Sequence, residues 1–178
     1  MGKILLVRHG ETDWNKTDLV IGRRTDMDLN ETGRAQAEAL AASLRDEPLD
    51  AVYVSPMKRA VQTARPTAED HGLPLITAPA LIEMDYGIFE GRPRLDPVYQ
   101  KEKLEFFARY PEGESYLDLA ARVYPFLKEI TEKHAGETVM LVTHALICRI
   151  VWTYFHEVRL ENFSGFPMAN TQVRRIEF

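Results

Sequence analysis

Short apolar runs separated by polar, turn-forming segments predict a series of buried strands. Such runs cover Lys3 to Val7, Ala51 to Val54 and Thr138 to Thr143. Leu75 to Leu81 is also predicted to be extended, and Thr171 to Ile176 is predicted to be a last strand at the sheet edge. Their shortness and the turn residues around them favour strands over helices.

Longer segments between these runs have the period of amphipathic helices. Ala37, Leu40, Ala41 and Leu44 follow one another at i, i+3, i+4 and i+7, and Asn30 is predicted to be the N-cap of their helix. Apolar residues on this spacing form one stripe, which faces the core.

Three further helices are predicted. One begins at Ser55–Pro56, an N-cap followed by proline at the first helical position, and ends at His71–Gly72. A second covers Leu117 to Lys133, which Pro125 must kink or break. The last, Ala145 to Phe155, is nearly all apolar.

Alternating strands and helices predict an α/β protein, with a largely parallel sheet in a three-layer α/β/α sandwich. With 178 residues, of which 45% are hydrophobic, the chain is long enough to bury a core. We expect a single domain over residues 1–178. A cap-like insertion is predicted at about residues 84–116, where glycine, proline and the charged-aromatic stretch KEKLEFFARY interrupt the alternation.

Composition narrows the possible partners. The formal net charge of −5 argues against a broad basic surface for nucleic acid or anionic lipid, so an anion site must be a local concentration of cations. Cys148 is the single cysteine, which suits a reducing compartment. Met1-Gly2-Lys3 leads straight into the first strand without the long apolar region and cleavage site expected of a signal peptide, and no run approaches the ~20 apolar residues that span a bilayer. We therefore expect a cytoplasmic protein with a small-molecule substrate, without nucleic-acid or membrane partners. The oligomeric state is left open.

The five histidines fall into two groups. His71, His134 and His156 stand at the predicted ends of helices, where a cation is favoured by the helix dipole, and we interpret them as structural. His9 and His144 instead come directly after apolar strands.

Other chemically active residues accompany these two histidines. Arg8 also follows the first strand, Arg59 lies in the first helical turn after the second, and Glu83 ends the extended Leu75–Leu81 segment. In open α/β sheets, ligands bind outside the carboxyl ends of the strands. Each residue alone fits a solvated loop. Together they indicate a site at one edge of the sheet.

The residue types at this edge suit phosphoryl transfer. Guanidinium groups give forked hydrogen bonds to phosphate oxygens, and an imidazole nitrogen is a competent nucleophile near neutral pH. A protonated Glu83 can give its proton to a leaving alcohol. The chain lacks the G-x-x-x-x-G-K-[ST] and G-x-S-x-G motifs, and HEVRL at residues 156–160 lacks the second histidine of a zinc-protease helix. We therefore predict no cofactor and no metal site.

Four motifs in order, RHGETDWN, SPMKRAVQTA, LIEMDYGIFEG and VTHALICR, resemble the histidine phosphatase superfamily in its phosphoglycerate-mutase-like branch. LNETGRAQA and the PEGES turn extend the resemblance over nearly the whole chain. It implies that His9 is the nucleophile that becomes phosphohistidine and that Glu83 is the general acid and then the base. It also implies that the phosphoryl group is held by Arg8, Asn15, Arg59 and His144, with Ile21 and Gly22 lining the substrate entrance. Gly10 would let the chain turn close beside the phosphate.

The chain departs from the family pattern at several positions. Ala145 replaces the glycine usual after the second histidine, which would narrow the pocket slightly, and Phe89 replaces a tryptophan. Met84 stands where phosphoglycerate mutases usually have arginine. The insertion has only separated cations, at Arg92, Arg94, Lys101, Lys103 and Arg109, instead of an adjacent arginine pair.

These departures favour a phosphatase, similar to small bacterial enzymes such as alpha-ribazole phosphatase or broad-specificity phosphatases. The poorly cationic cap predicts tolerance of bulky or apolar alcohols, and packing against the sheet is the ordinary explanation of Leu104, Phe106, Phe107 and Tyr110. A phosphoglycerate-type mutase is the alternative. A non-catalytic phosphate-binding module is disfavoured because a binder needs neither a nucleophile nor an acid.

Overall fold

The structure, a computed structural model, describes residues 1–163 and 165–178. Its strands are β1 (Lys3–Arg8), β2 (Ala51–Val54), β3 (Leu75–Thr77), β4 (Thr138–Thr143) and β5 (Val173–Glu177). They form one sheet in the order β3-β2-β4-β1-β5. The pairs β2–β3, β2–β4 and β1–β4 are parallel, and only the edge strand β5 is antiparallel to its neighbour. The predicted largely parallel sheet is confirmed.

Helices cover both faces of this sheet. They are α1 (Glu31–Leu44), α2 (Lys58–Asp70), α3 (Pro97–Glu102), α4 (Tyr116–Lys133), α5 (Ala145–Phe155) and α6 (Leu160–Phe163), with 3₁₀ turns at Asp13–Lys16, Pro79–Leu81 and Gly87–Phe89. Successive residues of a strand point to opposite faces. Leu5 of β1 therefore packs in a cluster with Leu40 of α1 and Ala64 of α2, whereas Leu6 packs in another with α4 and α5. These two clusters confirm the three-layer sandwich.

Local signals in the sequence succeed at α1 and fail at α2. Asn30 caps α1, since its side chain accepts a hydrogen bond from the Gly33 amide at 2.8 Å. The prediction that α2 begins at Ser55–Pro56 is wrong, because α2 begins at Lys58 with Met57 as its N-cap. The Ser55 hydroxyl instead bonds the ring of His144. The Ser55 hydroxyl, which was predicted to cap the helix, thus makes a tertiary contact with His144.

Two prolines act differently from expectation. The prediction was that Pro125 kinks or breaks its helix, and helix α4 is continuous through Pro125, so the helix is not broken there. Proline removes one hydrogen bond to the carbonyl four residues earlier, and that residue, Ala121, is exposed, where water can satisfy the carbonyl. Extended structure after β2 is shorter than predicted, because a 3₁₀ turn begins at Pro79.

The segment of residues 84–116, which we name the cap, lies against the loop that precedes α1. The Val20 amide donates to the Arg92 carbonyl at 2.8 Å and the Gly91 amide to the Val20 carbonyl at 2.9 Å. Within the cap, the rings of Tyr86, Phe89, Tyr99 and Tyr110 pack against one another in edge-to-face, tilted and stacked pairs.

The four apolar residues singled out in the cap divide into two pairs. Tyr110 is buried and Phe106 stacks on Tyr116 with ring centroids 4.5 Å apart. Leu104 and Phe107 are 71% and 81% exposed, so packing does not explain them. Within the described ranges, no helix combines the length and apolar character needed to cross a bilayer.

Candidate active site

The carboxyl ends of the parallel strands align at one edge of the sheet. Arg8 pairs with Thr143 in register, and Val54 pairs with Val142. The residues that follow each strand therefore meet at a pocket of about 360 Å³. Its walls include the predicted site residues Arg8, His9, Asn15, Ile21, Arg59, Glu83 and Ala145.

Two predicted residues lie behind the pocket wall. His144 is fully buried, and its ring centroid is 5.2 Å from that of His9. Gly22 contributes its carbonyl, which accepts a hydrogen bond from Arg59 Nη2 at 3.3 Å. Gly22 thus orients a lining residue instead of lining the pocket itself.

The hydrogen bonding of His9 defines its tautomer. Nδ1 lies 2.7 Å from the Gly10 carbonyl oxygen. A carbonyl can only accept, so we assign the proton to Nδ1, which leaves the lone pair on Nε2. Burial, with Arg59 and Arg8 nearby, holds the pKa of His9 well below its ordinary value. A neutral ring with a free Nε2 is the reactive form of an imidazole nucleophile.

His144 presents one bonded and one unbonded nitrogen. Its Nε2 lies 2.8 Å from Ser55 Oγ. Its Nδ1 is buried and finds no hydrogen-bond partner within the described part of the chain. Burial first, and then the nearby Arg59 charge, lower the pKa of His144. Buried polar atoms are rarely unpaired, so the hydrogen-bonding capacity of Nδ1 is unused in this structure.

The two arginines of the site are anchored by carbonyl groups. Arg8 donates from Nη1 to the Met168 carbonyl at 2.8 Å, and Arg59 donates from Nη1 to the Thr25 carbonyl at 3.0 Å. Arg8 Nε is buried and has no partner among the described residues. Burial lowers the pKa of both groups, but a guanidinium remains charged near neutral pH. Neutral anchors leave both charges available to an anion.

Asn15 is oriented by its own turn. Its Oδ1 accepts a hydrogen bond from the Thr12 amide at 2.9 Å, within the 3₁₀ turn that follows β1. This bond leaves Nδ2, a donor, for a ligand in the pocket. Thr12 lines the pocket as well.

Glu83 is the carboxyl group of the pocket. It is buried, and its Oε1 accepts a hydrogen bond from the Met84 amide at 2.9 Å. Burial raises the pKa of Glu83 above its ordinary value, against the smaller opposing effects of that bond and of the arginines. A carboxyl with a raised pKa is suited to donate a proton near neutral pH.

The role expected of Gly10 is corrected by the structure. Gly10 does not line the pocket and does not have a positive φ. A Cβ atom added to Gly10 would approach the Gly33 carbonyl oxygen to 2.8 Å, and one added to Gly33 would approach the Glu11 carbonyl oxygen to 2.0 Å. These two glycines let the start of α1 pack directly on the loop that holds His9.

Several functional residues were not found from the sequence. Ser55 supports His144, and Thr63 Oγ1 accepts a hydrogen bond from the Gly10 amide at 2.8 Å, next to His9. Three more cations reach the pocket, namely Arg94, Lys103 and Arg149. Arg149 alone had a usable signal, because it lies four residues after Ala145 and so on the same helix face.

The three histidines interpreted as structural are not among the pocket-lining residues. His134 bonds Tyr53 and Glu137, His71 bonds two backbone carbonyls, and His156 stacks on Trp152. Over the same described residues, no three histidine, cysteine, aspartate or glutamate side chains form a group that could hold a metal ion.

The sequence is similar to those of known proteins over most of its length. The family model of the histidine phosphatase superfamily (branch 1) matches residues 4–178. Phosphoserine phosphatase 1 of Hydrogenobacter thermophilus is 36% identical over 179 residues, which cover 96% of this chain and 83% of that protein. A probable phosphoglycerate mutase of Yersinia pestis is 35% identical over 153 residues, covering 82% of this chain and 71% of the relative.

A solved structure is also similar over nearly the whole chain. The alpha-ribazole phosphatase of Shigella flexneri superposes with a TM-score of 0.86 at 26% identity, over 98% of this chain and 90% of that one.

Proposed function

The chain belongs to the histidine phosphatase superfamily, and on that premise we propose that it hydrolyses a small phosphomonoester through a phosphohistidine at His9. The observation that carries the proposal is the state of His9. Its Nδ1 is tied to the Gly10 carbonyl, and its neutral ring offers Nε2 beside the charges of Arg8 and Arg59.

In the first step, His9 Nε2 attacks the phosphorus atom of the ester. The new N–P bond forms as the P–O bond to the alcohol breaks, and protonated Glu83 gives its proton to the leaving oxygen. The raised pKa of Glu83 keeps that proton available.

Charge on the phosphoryl oxygens is stabilised by the surrounding donors, namely Arg8, Arg59, Asn15 and His144. At an effective dielectric constant near 20, opposite unit charges ~4 Å apart attract by about 4 kcal/mol. Several such contacts supply the stabilisation that a metal ion gives in other phosphoryl-transfer sites. The proposed reaction therefore runs without a metal.

In the second step, Glu83 acts as a carboxylate base. It takes a proton from water, whose oxygen attacks the phosphorus while the N–P bond breaks. Inorganic phosphate leaves, and both His9 and Glu83 return to their starting protonation states.

We favour hydrolysis over phosphoglycerate isomerisation because Met84 is fully buried in the core and adds no charge to the pocket. A mutase remains the second candidate, since several relatives from Yersinia carry that name. We also infer a cytoplasmic location, because Cys148 is a free, buried thiol.

The proposal is tested with a panel of phosphate monoesters assayed for free phosphate, with 3-phosphoglycerate isomerisation run in parallel. We expect phosphate release from several esters, negligible isomerisation, and full activity after exhaustive EDTA treatment. Fast isomerisation with little free phosphate would establish the mutase instead. A strict metal requirement would overturn the mechanism.

A further inference from the structure

The pocket holds more positive charge than one phosphoryl group needs. Its lining includes the cations Arg8, Arg59, Arg94, Lys103 and Arg149, against one carboxyl group, Glu83. Over residues 1–163 and 165–178, none of these cations forms an ion pair with a carboxylate. This occurs in a chain whose formal net charge is −5.

Other cations of the cap do form ion pairs with carboxylates. In the cap, Arg109 pairs with Asp118 at 2.8 Å and Arg92 pairs with Asp96 at 3.9 Å. Acidic partners are therefore available to cap cations. Among the described residues, neither Arg94 nor Lys103 forms such a pair, and both line the pocket.

Arg94 is held in a fixed position. Its amide donates to the Asp18 carbonyl at 2.6 Å, and its Nε donates to the Leu19 carbonyl at 2.8 Å. Both acceptors belong to the loop that packs on the cap. These bonds leave both terminal nitrogens of the guanidinium for a ligand, in the forked arrangement that matches a carboxylate or a phosphate.

Arg149 gives an independent sign of a ligand. It lies one helical turn after Ala145 on α5, and both residues line the pocket. Its Nε is buried and has no hydrogen-bond partner in the described structure. Arg149 as a whole is half-buried, lines the pocket and pairs with no carboxylate among the described residues, so an anion in the pocket would stabilise its charge.

Like charges in this pocket also oppose one another. Burial lowers the pKa of Arg8, and the nearby Arg94 and Arg149 add to that effect. A phosphoryl dianion held by Arg8 and Arg59 would leave three cations uncompensated. A second anion on the same molecule removes this imbalance.

We propose that Arg94, Lys103 and Arg149 form a second anion subsite, so that the substrate is a phosphomonoester whose alcohol part carries a further carboxylate or phosphate. The inference rests on the proposed function, because it assumes that the phosphoryl group occupies the His9 end of the pocket. It also replaces the sequence-based expectation of a poorly cationic cap that accepts apolar alcohols.

Binding of non-hydrolysable probes tests the subsite without turnover. Three phosphonates with the same number of carbon atoms serve as probes. Propylphosphonate carries no second anion, 3-phosphonopropionate carries a carboxylate, and propane-1,3-diphosphonate carries a second phosphonate. Isothermal titration calorimetry should show that at least one bis-anionic probe binds the intact protein at least about 10-fold more tightly than propylphosphonate. The preferred probe identifies the second group as carboxylate or phosphate.

Variants then locate the selectivity, defined as the ratio of the propylphosphonate Kd to that of the better bis-anionic probe. Arg94→Gln, Lys103→Gln and Arg149→Gln should each lower this ratio at least about threefold, and the Arg94→Gln/Lys103→Gln double variant should bring it close to one. Lys101→Gln is the matched control. Lys101 is an exposed cap cation outside the pocket lining, and the ratio should stay within about twofold.

Equal affinity of the three probes for the intact protein would overturn the inference, as would an unchanged ratio in the double variant. If Arg149→Gln does not fold, Arg94→Gln still provides the test, because Arg94 is exposed and its substitution should not prevent folding. Failure of the proposed function is a separate result. It would appear as no ester hydrolysis despite selective binding of a bis-anionic probe.

Discussion

The floor and the cap-side wall of the pocket are built in different ways. The floor consists of Arg8, His9, Arg59 and Glu83, with His144 buried directly behind it, and all of these residues are buried except the half-buried Arg8. The wall includes Arg94 and Lys103, from an irregular segment that is largely exposed. Rigid, desolvated groups suit the reaction common to all esters, while loop residues suit the choice among them. The two regions should therefore respond differently to substitution.

The largest effect is expected at the floor, from His9→Ala. Turnover should fall at least about 10⁴-fold on every phosphomonoester, because the nucleophile is lost. Free-phosphate release gives the rate, and circular dichroism checks that the variant folds. His156→Ala is the matched control and should keep full activity, since His156 is exposed and stacks on Trp152. Substantial turnover by His9→Ala would contradict the assignment of the floor.

Glu83→Gln should show a loss that depends on the leaving group. Alkyl phosphates should slow roughly 100- to 1000-fold and aryl phosphates less than about 10-fold, because an aryl oxide leaves without a proton. Parallel kcat/KM measurements on both classes decide this. An equal loss on both classes would indicate that another group is the acid.

The pH dependence of kcat/KM should also distinguish the role of Glu83 from that of His9. Glu83 donates only when protonated, so its raised pKa places the alkaline fall of kcat/KM above the ordinary glutamate range. His9 attacks only when neutral, so its lowered pKa places the acidic fall below the ordinary histidine range. Glu83→Gln should abolish the alkaline fall and keep the acidic one.

Ser55→Ala should cost roughly 10-fold in kcat, about equally on all esters. Ser55 positions His144 through its 2.8 Å bond to Nε2, and so supports the floor and not the wall. Ser55→Thr keeps a hydroxyl and should recover part of the rate, whereas a purely structural loss would follow Tm in both variants. Wild-type kcat in Ser55→Ala would show that the contact is unnecessary.

The smallest effect is expected from Arg109→Ala, in the cap but outside the pocket lining. Arg109 has a side chain 70% exposed and is already paired with Asp118, so the free energy of unfolding should fall by less than about 1 kcal/mol. Urea unfolding measures this change. Kinetic selectivity among esters should be unchanged, in contrast to Arg94→Gln. A marked change in selectivity would mean that paired and unpaired cap cations are not distinct.

The features that were predicted correctly from the sequence depend on the local apolar pattern and on a residue's position relative to the end of a strand. The apolar runs located the strands of the parallel sheet, and the alignment of their carboxyl ends placed Arg8, His9, Glu83 and Arg59 at one pocket. Strand direction alone accounts for this result, because parallel strands bring their following residues together.

The rest depended on contacts that are distant in sequence. Ser55 matches the statistics of an N-cap, but its partner is His144, 89 residues away. Arg94 and Lys103 share no period or motif, so only the folded cap shows that they line one wall. Gly10 was assigned to a turn, although its close neighbour is Gly33 of α1.

The central claim, a phosphohistidine at His9, is tested most directly by trapping the intermediate. The wild-type protein is mixed with a rapidly hydrolysed ester, quenched in alkali within the first turnover, and mapped by peptide mass spectrometry. We predict one phosphoryl group on His9, which is lost in acid and absent from the His9→Ala variant. Rapid phosphate release without a phosphorylated His9, or with the phosphoryl group on another residue, would contradict the account.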